Sequence, residues 1–199
     1  TLSRAKRAMA EIARGDHAKV SQMVYPLMQA LDIEYLDVDL AVGGLDQRKV
    51  HMLARETLPE LDYEVRPALH TPIIADLDSG VGKMASSSGV TISMEDSEDD
   101  IEAKINDAYC PPTADPDPDA DGNERENPVL QLFQYHVFPR VDTVVVERPE
   151  QYGGDLEYDD YETLEADLEA GELHPMDAKS ALAAELNALI EPGRQQLNA

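Results

Sequence analysis

The chain has 199 residues, 42% of them apolar and 29% charged, which allows one large or two small domains with a real core. Its apolar runs fall far short of a membrane span, no charged-then-apolar leader opens it, and a single cysteine, Cys110, excludes an internal disulfide and fits a reducing cytoplasm. The 41 acidic and 16 basic residues give a net charge of −25. With apolar periodicity intact, such acidity reads as adaptation to molar salt, where a Debye length of about 3 Å screens surface repulsion.

The charge is uneven. Residues 1–55 hold eight basic and seven acidic residues, whereas residues 56–199 hold eight and 34. Arg4, Lys6, Arg7, Arg14 and Lys19 cluster at the start, and Arg48 and Lys49 follow. Cations kept in a chain that otherwise sheds them suggest an anionic partner such as phosphate, although a solvated helix face has the same composition.

In chain order, residues 2–14 and 18–35 have helical spacing, with Pro26 expected to bend the second helix or mark its first turn. The run VDLAVGG predicts a buried strand ending at Gly43 and Gly44, and helical period resumes in DQRKVHMLARETLP. A second strand is expected from Val65 to Ile74, before the loop GVGKMASSSG. Helix, strand, helix, strand suggests a parallel α/β sheet. Ser97, followed by Glu98, Asp99 and Asp100, predicts a capped helix reaching about Tyr109. Residues 111–127 are Pro- and Asp-rich and predict a flexible loop. A helix from Asn127 to about Val137, one strand in TVVVERPE, and helices over 160–171 and 175–197 complete a mostly helical second half.

Three constellations could carry chemistry. Tyr25, Gln29 and Asp32, at i, i+4 and i+7, share one helix face and could line a polar pocket, with Gln47 beyond a strand and a Gly-Gly turn. The same residues also suit an ordinary helix surface. Lys83, Met84, Ala85, Ser86 and Ser87 could wrap a polyphosphate, with a lysine charge and hydroxyl donors, or form a Ser-rich linker. His174 and Asp177 flank Pro175, where Asp177 either caps a helix or reads a base edge, and Tyr152 could stack on a base. The histidines at 17, 51, 70, 136 and 174 are scattered and show no metal-ligand spacing.

Taken in order, VYPLMQALDIEYLDVDLAVGGLDQRKVHMLARE, GKMASSSG, INDAYCPP, RPEQYGGDL and ELHPMDAK resemble the archaeal and eukaryotic type of tyrosyl-tRNA synthetase, a class I aminoacyl-tRNA synthetase family. The resemblance implies an α/β then all-α fold. Residues 1–96 would be the second half of a Rossmann-like parallel-sheet catalytic domain carrying a KMSKS-type loop. Residues 97–199 would be a mostly helical anticodon-binding domain with the acidic loop 111–127. It implies ATP-dependent formation of tyrosyl-adenylate and transfer to tRNA(Tyr), with Mg2+ accompanying ATP, in a cytoplasmic, homodimeric, membrane-free enzyme. Tyr25, Gln29, Asp32 and Gln47 match the tyrosine pocket, and Lys83, Met84, Ala85, Ser86 and Ser87 match the ATP-phosphate loop, with Lys83, Ser86 and Ser87 catalytic. Arg7, Arg48 and Lys49 match contacts to the acceptor stem, and Tyr152, His174 and Asp177 match the anticodon pocket.

Ala85 departs from the pattern, standing where the family loop usually has its first serine, and the acidic loop looks longer than in relatives. No segment matches the family's HIGH-like signature, and Thr1 stands in place of Met. A part of a longer enzyme, inactive by itself, is therefore expected. A non-catalytic tRNA-binding module and a tryptophanyl-tRNA synthetase are the alternatives.

Overall fold

The computed structural model describes Ser3 and residues 20–85, 90–119 and 122–197, so the helix expected over 2–14 lies outside the described residues. The chain divides into two compact units, Thr1–Ile73 and Ile74–Ala199. No described helix is long and apolar enough to cross a membrane.

In the first unit, α1 (Val20–Tyr35) continues uninterrupted through Pro26. Proline removes one backbone donor from the helix ladder, but the helix continues because tertiary contacts hold it. Ala30 of α1 packs against Ala54 and Leu58, with Leu31, Ile33 and Tyr63 around them. Strand β1 (Ala41–Gly44) leads through a single 3-10 turn into α2 (Arg48–Thr57), and the chain returns as β2 (Ala68–Thr71). The two strands are parallel, pairing Ala41 with Ala68 and Gly44 with Thr71. This is the β-α-β unit expected from the apolar pattern, since parallel strands need a crossover between them. Val42 and Leu69 are register partners, yet they are 61% and 54% exposed.

The second unit is built around one core. Ile101 and Ile105 from α3 (Glu98–Asp107) meet Val129 and Leu130 from α4 (Pro128–Leu132). Leu164 and Leu168 from α5 (Tyr161–Ala170) and Leu182 from α6 (Pro175–Leu197) join them. Each helix starts as its sequence dictates. At α3, the Ser97 side chain accepts from the Asp100 N–H and the Asp100 side chain accepts from the Ser97 N–H, a reciprocal cap. At α4, the Asn127 side chain accepts from the Val129 and Leu130 N–H groups. Helix α6 is long, 23 residues, and buries Ala178, Ala181, Leu182 and Leu186 at helical spacing. Its Lys179, nearly buried, donates to the Asn106 carbonyl at 2.9 Å and so satisfies the C-terminal end of α3.

Two expectations for this half need correction. The segment 111–127 is not an unstructured loop: Asp117–Pro118 (β3) and Glu124–Arg125 (β4) pair antiparallel. The half also has more than one strand. Val144–Val146 (β5) pairs antiparallel with Leu156–Tyr158 (β6), a strand the sequence reading missed. Val144 and Val146 are buried and Val145 is exposed, the alternation of a strand with one face on the core. Tyr158 closes the pair, its ring buried and its hydroxyl donating to Asp167 of α5 at 3.0 Å.

Candidate functional site

The candidate amino-acid site lies in the first unit, where the sheet ends. Gly43 and Gly44 end β1, and the 3-10 turn that follows carries Gln47 back over Gly43. A Cβ at Gly43 would sit 3.1 Å from the Gln47 Cβ and 3.4 Å from the His51 ring, so a small residue lets this turn close. The Gln29 side-chain amide donates to the Gln47 side-chain carbonyl at 2.8 Å. Two of the four expected amino-acid contacts are thus brought together across 18 residues of sequence. Tyr25 and Asp32 lie on α1 at helical spacing from Gln29, and both are exposed.

Beneath them is a pair that sequence reading scattered. His51, one turn beyond Gln47 on α2, is only 7% exposed, and its Nδ1 lies 3.0 Å from Nε2 of His70. His70 stands on β2 as the register partner of Gly43. Burial, and then the neighbouring His70, hold the His51 imidazole below the ordinary histidine range. At this distance one ring nitrogen donates and the other accepts, so the tautomers of the two rings are coupled. The readable signal was the i+4 spacing of Gln47 and His51, but the partner comes only with the strand register.

Arg48 and Lys49 are exposed in the first turn of α2. Their charges add to the positive end of the helix, a combination that draws anions. Arg7 lies outside the described residues.

The lysine segment belongs to the second unit. Lys83 is exposed, whereas Met84 and Ala85 are half-buried. The Met84 N–H donates to the Ile74 carbonyl at 2.8 Å, and its side chain packs against the core. Ser86 and Ser87 lie outside the described residues.

Tyr152, His174 and Asp177 are 22 or more positions apart in part, yet all three line one cavity of about 500 Å3, together with Arg148, Gly171 and Glu172. Tyr152 ends a 3-10 turn closed by left-handed Gly153 and is 67% exposed. The Met176 N–H donates to Nδ1 of His174 at 3.1 Å, which ties the ring to the first turn of α6. Arg148 was not foreseen. Its guanidinium donates to the Gly154 carbonyl at 3.0 Å and to the Glu172 carbonyl at 2.9 Å, joining the Tyr152 loop to the loop before α6. An aromatic face, a carboxylate, an imidazole and a guanidinium around one hollow can stack on and hydrogen-bond a planar base.

These sites sit in a known fold. The chain belongs to the class I tRNA synthetases: the family profile described as "tRNA synthetases class I (W and Y)" matches residues 1–191. Within that family its similarity is to tyrosine–tRNA ligases. It is 74% identical to the one from Halorubrum lacusprofundi over 197 residues, 99% of this chain and 60% of that protein. The tyrosine–tRNA ligase of Archaeoglobus fulgidus is 50% identical over 99% of this chain and 58% of its own length. The crystal structure of Archaeoglobus fulgidus tyrosyl-tRNA synthetase complexed with L-tyrosine superposes with a TM-score of 0.81 over 99% of this chain and 59% of that one. Tryptophanyl-tRNA synthetase from Giardia lamblia, 18% identical with a TM-score of 0.60, shares the fold alone. The chain spans about 60% of the length of the curated relatives it matches. The salt-adapted composition agrees with the Halorubrum and Halobacterium relatives, the latter 69% identical.

Proposed function

We propose that the protein to which this chain belongs activates tyrosine with ATP and transfers it to tRNA(Tyr), as a homodimer, and that the chain supplies part of the catalytic domain and the anticodon-binding domain. The observation that carries the reading is the 74% identity with a tyrosine–tRNA ligase along 99% of the chain. In this reading Asp32 accepts the hydrogen bond of the substrate phenol, Tyr25 lines the same pocket, and Gln29 and Gln47 form its polar wall. Phenylalanine would leave the carboxylate without its donor, which is costly in a closed site. The Lys83 ammonium neutralises charge that develops on the departing pyrophosphate as the tyrosine carboxylate attacks the α-phosphate. Ser86 and Ser87 add donors to the same phosphates, and Mg2+ enters with ATP as part of the substrate. Arg48, Lys49 and Arg7 face the acceptor end of the tRNA, while Tyr152, His174 and Asp177 read its anticodon, with Asp177 on a guanine edge.

The Rossmann-like reading of residues 1–96 draws support from the parallel β1–β2 pair, in which Val42 and Leu69 are exposed. Further strands and a covering layer would bury that surface. RNA binding by this chain alone, without catalysis, is the second reading, favoured by the cavity that the second unit builds entirely from its own residues.

The test is tyrosine-dependent exchange of pyrophosphate into ATP, measured on the longer protein that carries this chain. Tyrosine supports exchange and neither phenylalanine nor tryptophan does. Asp32→Asn lowers kcat/KM for tyrosine by roughly ten- to a hundredfold, the loss of one charge-assisted hydrogen bond. Exchange driven by tryptophan, or indifference to Asp32→Asn, overturns the reading.

A further inference from the structure

The stretch 111–127 is where the sequence pointed to a loop without a task, and the structure gives it one. Arg125 is the only lysine or arginine between Lys104 and Arg140, in a run that also holds Asp115, Asp117, Asp119, Glu124 and Glu126. Its guanidinium pairs with the Asp117 carboxylate and lies over the Tyr109 ring, 4.7 Å from the centroid. The Tyr109 hydroxyl donates to the same carboxylate at 2.6 Å. The three side chains close a triangle at the base of the β3–β4 hairpin. The other end of the hairpin is drawn tight by Asp119, whose carboxylate accepts from the Asn123 N–H at 2.8 Å and the Asn123 side-chain amide at 2.9 Å.

The triangle grips the chain that enters the lysine segment. Arg125 forms an antiparallel bridge with Val81, and the Glu126 N–H donates to the Gly80 carbonyl at 2.9 Å. From the other side, the Tyr109 N–H donates to the Leu77 carbonyl at 2.6 Å. Gly80 has a φ of +69°, and a Cβ there would lie 2.5 Å from the Glu126 carbonyl oxygen and 2.6 Å from the Tyr109 ring. The backbone approaches that closely only because glycine is present. Downstream, Met84 is tied to Ile74. Lys83 thus sits on a short span between two anchors, Val81 held by the hairpin and Met84 held by the core.

We propose that the β3–β4 hairpin is a strap that sets the position of Lys83, and that Arg125 is a positioning residue for the nucleotide-phosphate chemistry of that lysine. The proposal rests on the reading of Lys83 as a phosphate contact. A short-range, hydrogen-bonded pair stacked on an aromatic ring survives molar salt, which removes the longer-range attraction of exposed charges. Without Arg125, the Asp117 carboxylate would face its acidic neighbours uncompensated, and the hairpin would separate from Val81.

The test is amide hydrogen exchange on this chain in molar KCl, comparing Arg125→Ala, Arg125→Lys and the milder Tyr109→Phe with the parent. Arg125→Ala speeds exchange at Glu126, whose N–H is bonded to the Gly80 carbonyl, and at Met84, bonded to Ile74, roughly tenfold or more, the loss of a charge-assisted pair. Core amides such as Leu130 and Leu182 keep their rates. Arg125→Lys restores part of the protection, because it keeps the charge and loses the planar stack. Unchanged exchange at Glu126 and Met84, or a rise shared equally by the core, overturns the strap.

In the longer enzyme, Arg125→Ala raises KM for ATP severalfold and leaves KM for tyrosine in place, and equal effects on both would overturn the positioning role. Lys83→Ala tests the underlying reading separately. Wild-type pyrophosphate exchange in that variant would remove the phosphate role, and the positioning role with it, whatever the hydrogen exchange shows.

Discussion

Gly80 and Gly82 offer a controlled comparison, because both have a positive φ and they differ in surroundings. Their φ angles are +69° and +73°. In either place, alanine in the left-handed region costs about 1–2 kcal/mol. At Gly82 a Cβ would meet nothing within 4 Å, so Gly82→Ala should cost only that strain. At Gly80 it would press on the Glu126 carbonyl oxygen at 2.5 Å and on the Tyr109 ring at 2.6 Å. One of those neighbours is backbone, which cannot rotate away, so Gly80→Ala must push the hairpin off the chain. Crowding of this kind adds about 1–3 kcal/mol. Gly80→Ala should therefore be less stable than Gly82→Ala by about 2 kcal/mol. Urea unfolding in molar KCl, followed by far-UV circular dichroism, measures the difference, with an unchanged slope showing that the same surface unfolds. Two variants within about 0.5 kcal/mol of each other would refute the packing argument, since the scatter of ordinary surface changes is that large.

Other perturbations probe other links. Ser97→Ala removes one half of the reciprocal cap on α3 and should cost about 1 kcal/mol, read as a lower thermal midpoint; an unchanged midpoint would mean the cap is made by water instead. The His51 imidazole is held below its ordinary value of 6.5 by burial and by His70. The unfolded chain therefore takes up its proton first, and stability is full above that value and falls as the pH is lowered through the folded-state value. Unfolding midpoints at successive pH values should show that fall, and His51→Gln should flatten it; a slope indifferent to the substitution would clear His51 of the effect. Raising KCl to molar concentration should raise the unfolding midpoint, because screening relieves repulsion in a chain of net charge −25. A midpoint that drops as KCl rises would contradict salt adaptation.

Elements with a local chemical signal were legible in the sequence, and those assembled over distance were not. Helix α3 announced itself through Ser97 and its acidic first turn, and α6 through Pro175. The β1 strand was readable because an apolar run ended on two glycines. Strand β6 was missed because Leu156–Tyr158 is three residues with one charge in the middle, and only pairing with β5 makes it a strand. The hairpin within 111–127 was missed for a related reason: proline and aspartate argue for a loop, while the order comes from Arg125 stacking on Tyr109 and from the bridge to Val81.

The candidate sites divide in the same way. Helical spacing put Tyr25, Gln29 and Asp32 on one face, but nothing local showed that Gln29 would bond Gln47. His51 and His70 lie 19 positions apart and meet through the parallel register. Arg148 joined the cavity at α6 by bonding two backbone carbonyls that the fold brings near. The roles of Tyr152, His174 and Asp177 came from resemblance, and their shared cavity came from the fold.

The most direct test of the account is binding of this chain, in about 2 M KCl so that surface repulsion is screened, to tyrosine tRNA carrying guanine or adenine at the wobble position. The account predicts tighter binding of the guanine form and loss of that preference in Asp177→Ala, with circular dichroism showing both proteins folded. Equal affinity of the folded parent chain for the two tRNAs, or a preference that survives Asp177→Ala, would contradict it.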